Sequence, residues 1–420
     1  MSKEINIDSS ANTATDWLKE DLFVGLLKET VKGFRKIKSF ATNAGSAIGE
    51  NYATIMLRVN IEVELEDGKQ KSVSYMIKLP HQQEAHEKML GNNNIFSIEQ
   101  NMYKTFVPEM EKLYRDVGVE VHFGAKSYEL KGAKSVYILL EDLAPRGFKN
   151  INRLEGLDQA HTEAALRKLS QWHAASAVRV ATKGDYPKEL IVGFFREDNR
   201  AIVTQTNKGL GQIFLKCCAT YEGNEEYIEQ VVRKLAVPKV TDQCYKMSKP
   251  DPTGFNVLNH GDFWSNNMMF CHDSFGNIKE TSLIDFQLPK YGSVAQDLYY
   301  FLITSTKFED KLAKFDYYIH FYHQNLVENL KLLKYSKSIP TLSELHTSLL
   351  KYGFFGYVSA TGSMSGVLLD PTENSKFENF LSDSKEGSDF KTILYSNSRY
   401  RKHIQAVLPW LSNRGALEGL

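Results

Sequence analysis

Four cysteines in 420 residues, Cys217, Cys218, Cys244 and Cys271, are too few and too irregularly spaced for a disulfide framework or a zinc ribbon. Free thiols, buried or half-buried, are expected. No stretch reaches the roughly 18 uninterrupted apolar residues that a membrane span needs, and the opening MSKEINIDSSANTATDW lacks the apolar core of a signal peptide. Asn-x-Ser/Thr acceptors are missing too, so a soluble, cytoplasmic protein without a membrane span is expected. Charge is balanced, with Lys plus Arg and Asp plus Glu at 51 each, which removes the global electrostatic footprint of a nucleic-acid binder. No nucleic-acid partner is expected, and no residue pattern points to a protein partner. Neither an internal repeat nor a low-complexity tract is visible.

What remains is the composition of a globular protein, 42% hydrophobic and 12% aromatic, long enough for two or three ordinary domains or one bilobal enzyme. After a polar leader, WLKEDLFVGLLKETV from Trp17 has apolar residues at helical spacing. ATIMLRVNIEVELEDGKQKSVSYMIKLP then reads as two strands around Asp67-Gly68, a dipeptide suited to a tight hairpin. IFSIEQNMYKTFVPEM sets Phe96, Glu99 and Tyr103 on one helical face, with Pro108 expected to stop the pattern. KSVYILLEDL, from Lys134 to Leu143, is a further buried strand. From LDQAHTEAALRKLSQWHAASAV onward the chain is mainly helical, including KFDYYIHFYHQNLVENLKLL and Leu342 to Tyr357. The polar stretch from Asp370 reads as a solvated loop interrupted by a short helix.

One stretch is out of keeping with a plain core: LNHGDFWSNNMMFCHDSFGNIKETSLIDFQ, from Leu258 to Gln287. NMMFC and ETSLIDF are short apolar strands separated by HDSFGNIK, whose Asp273, Ser274, Gly276 and Asn277 are turn formers. In an antiparallel hairpin the start of the first strand lies beside the end of the second, so Asn267 and Asp285 meet at its open end, and Asp262 enters from the preceding loop. Two carboxylates and a carboxamide are hard oxygen ligands that suit Mg²⁺, an ion held by one or two carboxylates plus substrate phosphates. The plainer reading makes Asp262 a turn cap and leaves Asn267 and Asp285 as surface polar residues.

This arrangement resembles the catalytic segment of kinase-like phosphotransferases, whose small-molecule branch carries H-G-D-x-x-x-x-N followed by I-D-[FW]. His260-Gly261-Asp262 through Asn267 matches, as does Ile284-Asp285-Phe286. More narrowly, NHGDFWSNN with LIDFQ, and NRGALE near the C-terminus, is similar to the ecdysteroid kinase-like family of insects, relatives of choline and aminoglycoside kinases. The likeness covers roughly residues 20 to 420. It implies an α+β, bilobal protein kinase-like fold with a β-rich N-lobe and a larger, mainly helical C-lobe. The expected division is a leader at 1–20, an N-lobe at 21–143 and a C-lobe at 144–420 with the catalytic loop and acceptor pocket.

The family further implies ATP and Mg²⁺ as cofactors, with Asp262 facing a substrate hydroxyl while Asn267 and Asp285 hold the metal. His260 in such loops looks structural. Asp297, in AQDLYYFL, matches an aspartate that ties the catalytic loop to the following helix, and it also reads as a helix N-cap. Lys78, ending VSYMIK, lies where the nucleotide-binding lysine of the family belongs, although a lysine at a strand end is ordinarily solvated. Glu99 is the preferred partner for it, with Glu84 and Glu87 as rivals. Gly45 to Gly49 looks like a reduced phosphate-covering loop in which Ser46 and Asn51 supply donors, or an ordinary surface turn. By the same resemblance, main-chain groups around Glu141 and Leu143 take the adenine edge.

The pattern departs from protein kinases at Gly261, where they carry arginine, at Gln287, where they carry the D-F-G glycine, and in lacking A-P-E. Protein substrates are therefore disfavoured. Gln287 also differs from the acidic residue that many choline kinases place there. His320 and His323 have i, i+3 spacing but no completing ligand, and read as packing residues, as do Trp172 and His173. The expected acceptor is an alcohol on a small, lipophilic molecule of ecdysteroid or xenobiotic type. The alternatives are a nucleotide-binding pseudokinase and a choline-like small-alcohol kinase.

Overall fold

The computed structural model describes residues 16–45, 54–80, 95–223, 237–372 and 377–416. By contacts the chain divides into two units, Met1–His86 with Ala125–Pro145, and Glu87–Gly124 with Arg146–Leu420. The fold is α+β, an antiparallel sheet in the first unit and mostly helices in the second.

In the first unit, β2 (Thr54–Leu65) and β3 (Gln70–Pro80) pair from Thr54↔Pro80 to Glu64↔Gln70. Gly68 closes the hairpin at φ +80°, a conformation that costs glycine little. Strand β1 (Phe34–Ala44) lies outside β2, and β4 (Ser127–Tyr128) and β5 (Ile138–Glu141) complete the order β1-β2-β3-β5-β4. Tyr75, Ile77 and Leu79 alternate toward a core shared with Val59, Ile61, Val63 and Leu139.

Sequence periodicity does not reveal β1, because an edge strand buries only part of one face. Arg35, Lys36 and Lys38 instead meet Glu64 on β2, charges that also discourage pairing with another chain. The helix expected from Trp17 is shorter, a 3-10 turn at Glu20–Phe23 followed by α1 (Val24–Thr30). The expected strand from Lys134 narrows to β5. Its following Asp142 accepts hydrogen bonds from Arg58 on β2 and Ser74 on β3, both at 2.8 Å, strapping the end of β5 to the sheet.

The second unit opens with α2 (Ile95–Asn101), which does not stop at Pro108. It passes through a π-helical segment, Met102–Phe106, into α3 (Val107–Arg115), with Pro108 in the first turn. A first-turn proline has no helical N–H to lose. The Tyr114 hydroxyl, with one hydrogen to donate, lies 3.0 Å from the Gln171 carbonyl on α4 (Gln159–Lys183) and 2.9 Å from Asn329 Oδ1 on a later helix, Phe315–Leu332. Asp158 caps α4, accepting from the His161 amide at 3.0 Å.

Two small sheets carry the remaining strands: β6 (Phe148–Lys149) pairs β8 (Met268–His272), which pairs β9 (Ile278–Leu283), while β7 (Asn256–Asn259) pairs β10 (Lys290–Ser293). Helix α5 (Ala295–Thr304) follows, then α6 (Phe315–Leu332). The expected helix from Leu342 to Tyr357 divides into α7 (Leu342–Lys351) and Phe354–Val358, which continues into a π-helical turn, Ser359–Ser363. The stretch from Asp370 holds the expected short helix, Phe377–Leu381, and then runs into α8 (Lys385–Ser396), which Ser384 caps by accepting from the Gly387 amide. Among the described residues no helix is long and apolar enough to cross a membrane.

Candidate active site

Strand β7 ends at Asn259, and the chain must turn at once to present the next residues. Gly261 makes that turn at φ +81°, and a Cβ there would stand 1.8 Å from the Leu288 carbonyl oxygen. Both the backbone angle and the space demand glycine, which accounts for the middle residue of His-Gly-Asp. The loop is then bolted to α5 by Asp297, whose carboxylate accepts from the amides of His260 at 2.6 Å and Gly261 at 2.9 Å. His173 on α4 approaches the same carboxylate at 3.2 Å through Nε2, with its Nδ1 at 2.6 Å from the Tyr322 hydroxyl. Both Asp297 and His173 are fully buried. Burial pulls the His173 imidazole below its usual value, with Asp297 acting in the opposite sense.

Phe286 anchors the other arm. It stacks on Trp172 at 5.0 Å between ring centroids and meets Tyr103 edge-on at 5.3 Å. Trp172 Nε1 donates to the Leu258 carbonyl at 2.6 Å, so one side chain holds β7 and the Ile284-Asp285-Phe286 turn together. His260 braces the same pair of segments, Nε2 lying 3.0 Å from the Ile284 carbonyl.

On this frame the hairpin of β8 and β9 pairs Met268 with Leu283, and the Ile284 amide donates to the Asn267 carbonyl at 3.0 Å. Its open end therefore sets Asn267 beside the residues that lead into Asp285. Asn267 Nδ2 donates to Asp262, to Oδ2 at 2.9 Å and to the main-chain carbonyl at 3.0 Å. The Tyr300 hydroxyl of α5 donates to Asp262 Oδ1 at 2.7 Å. Asp285 sits at φ +66°, and its Oδ2 accepts from Gln287 Nε2 at 3.1 Å. Burial first, and then the neighbouring charge of Asp285, push the Asp262 carboxyl above the usual carboxylate range, while the donors Tyr300 and Asn267 oppose the shift. Asp262, Asn267 and Asp285 thus share one electrostatic environment.

This donor set fits a hard divalent cation. Because Asn267 Nδ2 is spent on Asp262, its Oδ1 is the side-chain atom left that could act as a ligand. Among the described residues no group of three or more His, Cys, Asp and Glu is placed to hold a metal by itself. Two carboxylates and a carboxamide suit an ion that completes its shell with water and substrate oxygens.

The other expected residues fall in several places. Lys78 lies on the sheet face opposite Tyr75, Ile77 and Leu79 and is buried; Glu99, also buried, belongs to α2 of the helical unit. The Glu141 amide donates to the Lys126 carbonyl at 2.8 Å, so it is committed to the sheet, and Leu143 is buried. Ser46, Asn51, Glu84 and Glu87 lie outside the described residues. His323 is hydrogen-bonded to the Pro340 carbonyl, and His173, read as core filling, is both core and ligand to Asp297. Sequence reasoning missed Tyr300, although it lies three residues after Asp297, the spacing that puts two side chains on one helix face.

A family model described as the ecdysteroid kinase-like family matches residues 48–335, more than half of the chain. The chain belongs to the ecdysteroid kinase-like family. The match takes in Lys78, Glu99 and the whole loop from His260 to Asp297 of this kinase-like protein, but not the C-terminal NRGALE that contributed to the resemblance. No curated protein matches the chain.

Proposed function

We propose that this ecdysteroid kinase-like protein is a cytoplasmic, ATP- and Mg²⁺-dependent phosphotransferase acting on an alcohol group of a small, lipophilic molecule of steroid or xenobiotic type. The observation that carries the reading is the hydrogen-bonded pair Asp262–Asn267 on a loop bolted by Asp297, with the charge of Asp285 acting on Asp262. Asp262 accepts the hydrogen of the attacking hydroxyl and takes its proton as the new oxygen–phosphorus bond forms and the bond to the β-phosphate oxygen breaks. Asn267 and Asp285 hold Mg²⁺, which supplies positive charge to the phosphate oxygens when bound. Lys78 supplies further positive charge to the phosphates, and main-chain groups around Glu141 and Leu143, other than the sheet-bonded Glu141 amide, take the adenine edge. In this scheme positioning and electrostatics provide most of the acceleration.

Incubation with ATP, Mg²⁺ and a panel of lipophilic and cationic alcohols, read by mass spectrometry, is expected to give a phosphate adduct on a lipophilic alcohol. ATP-dependent thermal stabilisation with no adduct on any alcohol would favour a nucleotide-binding pseudokinase, and an adduct confined to the cationic alcohols would favour a choline-like enzyme. Asp285→Ala is expected to weaken Mg²⁺-dependent nucleotide binding by about tenfold or more, the order of one lost charged ligand. Titration of nucleotide with and without Mg²⁺ checks this, and unchanged metal dependence contradicts the ligand assignment.

A further inference from the structure

We propose that Tyr300 is a positioning residue for phosphoryl transfer, its hydroxyl aiming the Asp262 carboxylate at the acceptor alcohol. The inference rests on the phosphotransferase reading above. Asp262 receives one donor on each oxygen, Tyr300 on Oδ1 at 2.7 Å and Asn267 on Oδ2 at 2.9 Å. A carboxylate torsion is broad and roughly two-fold, so a single donor leaves the group free to turn. Two donors from different elements fix its plane, and each oxygen keeps a lone-pair direction for an incoming hydroxyl.

The support behind Tyr300 comes from its own helix. Tyr300 and Asp297 sit three residues apart on α5, so one helix holds the catalytic loop twice, by its backbone through Asp297 and by its carboxylate through Tyr300. The π-helical turn Ser359–Ser363 packs against α5, and π-helical turns recur at functional sites. Packing alone does not require this arrangement: phenylalanine fills the same volume, and only the hydroxyl makes the bond to Asp262.

The test is steady-state kinetics of Tyr300→Phe with ATP and Mg²⁺, using the panel alcohol that gives most product and, where none does, water as acceptor with phosphate release as the readout. A hydrogen bond to a charged group is lost from the reacting constellation, so kcat is expected to fall by about 10- to 100-fold. KM for ATP and the melting temperature should be unchanged. Tyr300→Phe placed on Asp262→Asn should add no further loss, because the two residues act as one unit. An active wild type with an unchanged kcat in Tyr300→Phe overturns the role of Tyr300 alone. A fall in activity that comes with a raised KM for ATP or a lowered melting temperature assigns the tyrosine to packing and also overturns it. A wild type that transfers phosphate to neither alcohol nor water overturns the phosphotransferase reading, and this role with it.

Discussion

Asp262→Asn is expected to reduce phosphoryl transfer by about 10²- to 10⁴-fold, the range contributed by a positioned proton acceptor, while ATP-dependent thermal stabilisation persists. The carboxamide is nearly the same size, so the loop should keep its course. What changes is donor and acceptor arithmetic. Asp262 accepts from Tyr300 on one oxygen and from Asn267 on the other, whereas asparagine has one oxygen and can satisfy only one of the two. The nearby Asp285 loses a repelling neighbour, which offsets part of that cost. A small change in melting temperature together with a large change in kcat is therefore the signature expected. A variant with wild-type turnover would remove Asp262 from the reaction, and loss of ATP stabilisation would show that its charge serves binding instead.

Asp297→Ala should have the larger effect on stability, about 3–5 kcal/mol, the cost of deleting one partner of a buried charged network. Asp297 is fully buried and accepts from two loop amides, with His173 facing it as well. Alanine leaves those buried donors without their acceptor, and an unmet buried donor costs about 1–3 kcal/mol by itself. Asp297→Asn should be nearly as damaging, because its amino group would confront donors where the second oxygen now accepts. Urea titration of the full chain checks the size of the effect. A loss below about 1 kcal/mol would mean that the loop is held by other contacts, Trp172 and His260 being the candidates.

These two residues were unequally legible. Asp262 stood out because the H-G-D-x-x-x-x-N spacing and the two apolar strands around a turn are local signals, and the β8–β9 hairpin follows from them. Asp297 entered only by resemblance, since a carboxylate at a helix start is usually a cap. Here it caps no amide of its own helix among its described bonds and instead reaches back to residues 260 and 261. Pro108 misled for a related reason. Its local rule is sound, but the π-helical segment before it had already interrupted the ladder that a proline would break.

By itself the sequence determined the α+β class, the Asp67-Gly68 hairpin and the order of the polar residues Asp262, Asn267 and Asp285, because turn preference, strand alternation and short-range spacing act between near neighbours along the chain. Only the tertiary structure decided that Tyr300 faces Asp262, that His173 meets Asp297, that Phe286 stacks on Trp172 and that Asp142 straps three strands. Those contacts join segments separated by tens of residues or more, and no local periodicity carries information about which buried polar group will find which partner.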